Sequence, residues 1–300
     1  MQKIISILLI NMFFVFPIFA KDFKIGDKTI SIPNPEGFTI VTKEMTGVTY
    51  LQSKMIVPEN ILISAYIENA SKDLAEKGGV PSLEKTFAIQ IKRDLFNKNV
   101  GKDVFDAMSE LIKKQNEEFV QNIKKDVERI TNRSSNELAK DLNIDFALKV
   151  KNVVPLKPHI DRDNILSFST YIKFENSINN GEEKTSEKAT AIVSASITNV
   201  DGKILYIGAY GGKDDLEWTR QASQKWVEKI ISLNNPPPEK TLKSNSGNLL
   251  KKYKTLIKIA IFMLFSSIVG LFYKKGKPNK SISKEKKKEI SEKWKHIMKY

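Results

Sequence analysis

Cysteine is absent from all 300 residues of this chain. That excludes disulfides, thiol nucleophiles and thiolate metal sites together. Histidine is nearly absent, with only His159 and His296. A serine nucleophile would have to rely on His159, and neither a nucleophile elbow nor a serine–lysine motif accompanies it. Internal repeats are missing as well. The 35 acidic residues make paired carboxylates available almost anywhere, so their presence decides nothing. No cofactor is expected, and the chain reads as non-catalytic.

What the chain does have is two long apolar runs. The first, MQKIISILLINMFFVFPIFA, has a basic start at Lys3, an apolar core from Ile4 to Phe19 and the small residue Ala20 before polar sequence. This is the layout of a secretory signal over residues 1–20. The second, residues 255–273, is followed by a lysine-dense tail and reads as a stop-transfer helix. Its uninterrupted part after Lys258 covers roughly 22 Å at helical rise, short of a hydrocarbon core of about 30 Å. A start near Thr255, with the Lys258 amine reaching back to the headgroups, recovers most of the difference. Lys274 and Lys275 mark the opposite interface.

The formal charge of +14 invites a nucleic-acid partner, but its distribution argues otherwise. Residues 274–300 hold eleven Lys against three Glu, a net +8. Lys251, Lys252, Lys254 and Lys258 add +4 and Lys3 adds +1, which leaves only +1 for residues 21–250. The basicity belongs to the membrane segment, and no nucleic acid is expected. The larger lysine cluster lies after the apolar run, which places the tail in the cytosol and the main domain outside. A bacterial inner-membrane protein with a single span is the resulting expectation.

Between the runs, the periodicity predicts an α+β domain over residues 21–233. Ile30 and Ile32, then Phe38 and Ile40, alternate with polar neighbours around a Pro-Glu-Gly turn and read as short strands. Residues 61–68, ILISAYIE, read as a buried strand. A helical insertion is expected over 82–142. Its first helix carries Leu83, Phe87, Ile91 and Leu95, and a longer one starts at Lys102 and breaks at Thr131–Asn136. Strands resume at about Ile144, with a long exposed loop over Asn176–Lys188 and a tight hairpin at Asp201-Gly202. A last helix carries Leu216, Ala222, Trp226 and Ile230, capped by Asp214 or Asp215. The Pro-rich and polar stretch 234–254 reads as a linker. Strands first and last around helices argue for an antiparallel sheet with packed helices.

Two stretches carry a resemblance. KTISIPNPEGFTIV with PENILISAYIE resembles the start of a group of uncharacterised exported bacterial proteins. DGKILYIGAYGGKDDLEWTRQASQKWVEKI is similar to the end of PsbP-like and DcrB-like α+β domains. The resemblance implies a fold and supplies no catalytic set, since function does not follow from fold.

Candidate site residues are few. His159, Asp161 and Asp163 alternate and would share a face on a strand, a possible metal set, although the segment reads as a turn and lacks the calcium-loop pattern. Gly211-Gly212 before a helix is reminiscent of phosphate-cradling loops, but Asp214 and Asp215 stand where the anion would sit. Trp218 and Trp226 lie on one helix face, and Tyr206 and Tyr210 share a strand face that could extend the same aromatic cluster. Core packing is the expected role of all four, with a ligand face as the alternative.

In the tail, Ile290, Trp294, Ile297 and Met298 fall on one helical face among lysines. Such a helix would lie on an anionic inner leaflet with Trp294 in the headgroup layer. The functional expectation is a membrane-tethered extracytoplasmic binding or scaffolding protein with an envelope partner. The alternative is an anchored hydrolase that uses carboxylates of the same domain.

Overall fold

The computed structural model describes residues 20–113, 117–142, 145–179 and 184–239. The signal core, the anchor with Lys258, Lys274 and Lys275, and the tail with Trp294 lie outside the described residues. Among the described residues, no helix is long and apolar enough to cross a membrane.

The fold is α+β with antiparallel sheets. β1 (Ala20–Ile25) and β2 (Lys28–Pro33) form a separate hairpin. β3 (Phe38–Ile40), α1 (Thr46–Met55), β4 (Asn60–Glu68), α2 (Lys72–Glu76) and β5 (Thr86–Lys92) follow. Then come α3 (Lys102–Lys113), α4 (Glu117–Leu142), β6 (Asp145–Pro155), β7 (Ile160–Arg162), β8 (Ile165–Asn179), β9 (Lys184–Val200), β10 (Lys203–Gly212) and α5 (Leu216–Ser232). The main sheet runs β3-β4-β5-β10-β9-β8-β6, with β7 paired to β8 beyond the end of the β6 ladder. Strand β10 therefore enters between the two halves of the chain and joins β5 to β9.

Several expectations change. Residues 83–95 were expected to be helical, but Thr86–Lys92 is a central strand buried along its whole length. The reason is arithmetic. A spacing of four, as in Phe87 and Ile91, is also a multiple of two, so it fits one face of a strand as well as a helix. The aromatic and β-branched TFAIQI content decides for the sheet. The helical excursion thus begins at Lys102.

It also runs on through Thr131–Asn136 without a break, because one side of that polar segment faces inward. Thr131, Ser134 and Ser135 are buried. The Ser134 hydroxyl donates to the Lys54 carbonyl at 2.6 Å, Ser135 Oγ accepts from the Leu148 amide at 3.0 Å, and Arg133 donates to the Ile56 carbonyl at 2.8 Å. Helix α1, over TGVTYLQSKM, was not anticipated, and neither was the pairing of β2 with β1 in place of β3. The exposed 176–188 loop contracts, since β8 and β9 stay paired out to Asn179 and Lys184.

Helix α5 covers one face of the sheet. Its aromatic contact is Trp226, edge-on to Tyr66 and Phe87 with ring centroids at 5.1 Å each, while its indole N–H donates to the Pro33 carbonyl at 2.8 Å. Beside this cluster lies a layer of hydroxyls. Ser169, Ser194 and Thr219 form one chain at 2.9 and 2.8 Å, and Ser167, Ser196 and Ser223 form another at 2.6 and 3.2 Å. Small residues on both surfaces let helix and sheet approach closely, and each hydroxyl of these two chains has a partner. The other face is equally closed, with Ile172, Phe174, Val193 and Ile197 buried against the side of the sheet where α4 packs on β6.

The Asp201-Gly202 turn has the expected geometry, with φ of 47° and 84°. The supposed linker does not start free at residue 234. Asn234 Oδ1 accepts from the Ser31 amide at 2.8 Å, and its Nδ2 donates to the Ser31 carbonyl at 2.9 Å. Further on, the carbonyls of Asn235 and Pro238 accept from the amides of Asp201 and Lys102. The outgoing chain is therefore docked as far as Glu239, across the β9–β10 turn and the start of α3.

Candidate functional site

The residues suggested by sequence as a metal set do not converge. Asp161 Oδ2 binds Lys113 Nζ of α3 at 2.8 Å, and Asp163 Oδ1 faces Lys102 Nζ at 3.7 Å. His159 is half-buried near the Arg220 guanidinium of α5. Burial first, and that charge second, push its imidazole down to about 4. Among the described residues, neither ring nitrogen has a hydrogen-bond partner. Among the described residues, no group of three His, Asp or Glu side chains could hold a metal ion.

The four aromatics also divide. Phe87 pairs with Ala209 across the β5–β10 ladder, so Ala209 shares the face that Trp226 covers. Tyr206 and Tyr210 pair with Gln90 and Thr86 and point to the opposite side. They are buried there, and the Tyr210 ring lies over Gly208, whose added Cβ would meet it at 2.8 Å. Trp218 stays with the first cluster, 5.7 Å from Phe87, under the Lys85 ammonium at 4.7 Å. No common aromatic ligand face results. At Gly211-Gly212 the Asp215 carboxylate turns back and accepts from the Gly212 amide at 2.8 Å, so it fills the place an anion would need. Asp215 is the N-cap residue by position, with its side chain spent on that turn.

A different site appears beyond the N-terminus of α5. Thr219 sits over Ser194, and the helix begins one turn earlier, at Leu216. Strands β8 and β9 continue much further, through the Lys173–Thr190 and Glu175–Lys188 pairs. Strand rise takes the sheet about 13 Å past Ser194 by Thr190, while the helix extends only about 4.5 Å past Thr219. Among the described residues the sheet face is uncovered there, and a cleft of about 640 Å³ opens on it.

The cleft is lined by Lys151, Lys173, Glu175, Lys188, Thr190 and Lys213, together with the Phe174–Ala189 backbone pair. Four lysines face one glutamate, a net +3. They come from four neighbouring strands. Lys151 is the extra residue of a bulge in β6, between the Val150–Phe174 and Asn152–Lys173 pairs. Lys173 and Lys188 project from β8 and β9 toward the α5 side, and Lys213 follows β10. Glu175 binds Lys151 at 2.5 Å and accepts from Ser186 at 3.3 Å. Chiefly through the Lys151 contact, its carboxyl is held below the usual carboxylate range. Glu175 therefore stays ionised and fixes one lysine, and Lys213 has the exposed Asp214 carboxylate at 3.9 Å, so the lysines still outnumber the carboxylates around them.

These lysines were not singled out from the sequence because the domain's net charge is close to zero. The signal lay in strand parity. Once the register is known, Lys173 and Lys188 fall on one face with Glu175, whereas the sum over the domain averages them away.

No protein-family model matches this chain, and no curated protein matches it. Among solved structures, the chain is similar to the solution structure of cyanobacterial PsbP (CyanoP) from Synechocystis sp. PCC 6803. Identity is 9%, the alignment covers 71% of this chain and 92% of that one, and the TM-score is 0.24. A score that low leaves the likeness without bearing on fold or function.

Proposed function

We propose that this chain is a non-catalytic extracytoplasmic binding protein, tethered to the bacterial inner membrane by residues 255–273, with its tail in the cytosol. The observation that carries the reading is the opposition of the two sheet ends. The last described residues before the anchor sequence, Pro238 and Glu239, lie beside the β9–β10 turn. The cleft lies at the other end of the same strands, near Lys213 and Thr190. Ten residues of β10 separate these ends, about 33 Å of strand. A tether at one end and an open cleft at the other suit a domain that presents its binding surface away from its own membrane. A hydrolytic role gains no support from the cleft, whose single carboxylate is ion-paired with Lys151.

Because the chain has no cysteine, single cysteines report topology cleanly. Asp214→Cys, at a side chain 86% exposed, should react with a membrane-impermeant maleimide in intact spheroplasts. Ser291→Cys should react only after permeabilisation. The reverse pattern would overturn the orientation, and labelling of both without permeabilisation would overturn the tether.

A further inference from the structure

We propose that the cleft binds a small ligand carrying two or more closely spaced oxyanions of the phosphate type. Lys173, Lys188 and Lys213 would touch it directly, and Glu175 would restrain Lys151. This deepens the tethered-binding reading and rests on it.

Three features point to the ligand class. First, the charge is one-sided within a concave space. The lining carries +3 while residues 21–250 as a whole carry only +1. Like charges gathered on one surface repel each other, an arrangement that a bound anion relieves. The neighbouring edge lysine Lys149 adds to the field, because it pairs with Glu175 across β6 and β8.

Second, the cleft is small and most of its lining side chains are charged. Phe174 turns its buried ring to the opposite face and contributes only backbone here, beside Thr190 and Ala189. Among the described lining residues, only Phe174 and Ala189 are apolar. About 640 Å³ suits a compact ligand, within the roughly 300–1,000 Å³ of small-molecule sites.

Third, the contacts are ammonium groups and not guanidinium forks. Lysines act as point charges with rotatable donors, which fits phosphate oxygens without demanding the planar geometry of one carboxylate. One lysine is already engaged, so an incoming anion competes with Glu175 for Lys151. Removing that competitor should tighten binding, the opposite of what loss of a ligand-contacting residue would do. Binding should also weaken with salt, because the lysines are open to solvent.

The oxyanions could be supplied by a soluble compound or by lipid headgroups, and the test separates these. The full chain, in nanodiscs of zwitterionic lipid, is treated with a limiting amine-reactive reagent, and each lysine's modification is read by mass spectrometry. Added tripolyphosphate should protect Lys173, Lys188 and Lys213 together, and leave the exposed Lys77 and Lys229 unchanged. Orthophosphate at equal concentration should protect less. Glu175→Gln should raise apparent affinity by about threefold, and Lys173→Glu with Lys188→Glu should lower the protection of Lys213 by about tenfold.

Protection by tripolyphosphate alone assigns a soluble ligand, and protection by phosphatidylglycerol vesicles alone assigns headgroups. Equal protection of Lys77 and Lys229, no protection by either probe, or weaker binding by Glu175→Gln would overturn the site. The cysteine labelling does not depend on cleft charge. Failure here with topology intact would remove the anion class and leave the tethered-binding reading standing.

Discussion

Lysines at the two ends of the sheet have opposite fates. At the β9–β10 turn, Lys203 opens β10 with its side chain 0% exposed. Its ammonium donates to Asp27 Oδ1 at 2.8 Å and to the carbonyls of Lys98 and Phe96 at 3.1 and 3.2 Å. Asp27 belongs to the β1–β2 turn and also accepts from Asn99 at 2.7 Å. Gly26 permits the contact, since at φ of 61° an added Cβ would meet the Phe96 carbonyl oxygen at 2.5 Å. Every donor of the ammonium is used. At the cleft end, Lys213 is 72% exposed and the lysines outnumber the carboxylates. A saturated buried cation holds segments together, whereas exposed cations that outnumber the nearby carboxylates keep donors open to solvent. The same residue type is structural in one place and available in the other, and the count of nearby acceptors decides which.

Breaking the saturated end should have the larger effect on stability. Lys203→Met keeps most of the alkyl volume but leaves two carbonyls without this donor and Asp27 with Asn99 alone. The expected loss is about 3 kcal/mol, read by chemical denaturation. Lys173→Met and Lys188→Met should each stay within about 0.5 kcal/mol of the parent. Equal losses at both ends would erase the contrast.

A smaller effect is expected at Asn234, whose side chain bonds both backbone groups of Ser31 and the Ile230 carbonyl. Asn234→Ala should cost about 1–2 kcal/mol. It should also expose the 234–239 segment to limited proteolysis before the sheet unfolds.

The smallest effect should be a change of pH dependence. The Lys203 hydrogen bond, with help from Asn99, lowers the Asp27 carboxyl from 3.8 to about 2. A group whose folded value is depressed stabilises the fold above its unfolded value and loses that contribution as pH falls through the folded one. The parent should therefore lose stability more steeply than Asp27→Asn as pH drops from about 4 toward about 2. Parallel curves over that window would show that Asp27 contributes nothing to the clasp.

Much of the fold was legible residue by residue. The β9–β10 hairpin followed from alternation around Asp-Gly, and Trp226 as a core anchor followed from its helical face. Strand β5 was misread because its apolar spacing fits two periods, and only the neighbours β4 and β10 settle which one holds. Buried Ser134 and Ser135 looked like a helix break, since hydroxyls and guanidinium side chains show their partners only after α1 and β6 arrive. Of the candidate site, individual lysines were visible but their convergence was not. Lys151, Lys173, Lys188 and Lys213 span more than sixty positions of chain and meet only because four strands align.

By itself, the sequence determined the properties that depend on local pattern. These are the α+β composition of the domain, the tight turn at Asp201-Gly202, the closing helix and the absence of any thiol chemistry. It also separated the basic tail from a nearly neutral domain, because charge can be summed along a chain. Tertiary structure alone decided how that neutral domain distributes its charge. Register chose the side to which each lysine of β8 and β9 points, the bulge at Lys151 turned one more toward Glu175, and the N-terminus of α5 stops short of them. Burial did the reverse for Lys203, enclosing it among acceptors from the β1–β2 turn and the segment after β5. Pairing across strands and the end of a helix are long-range facts, and no local period in the sequence encodes them.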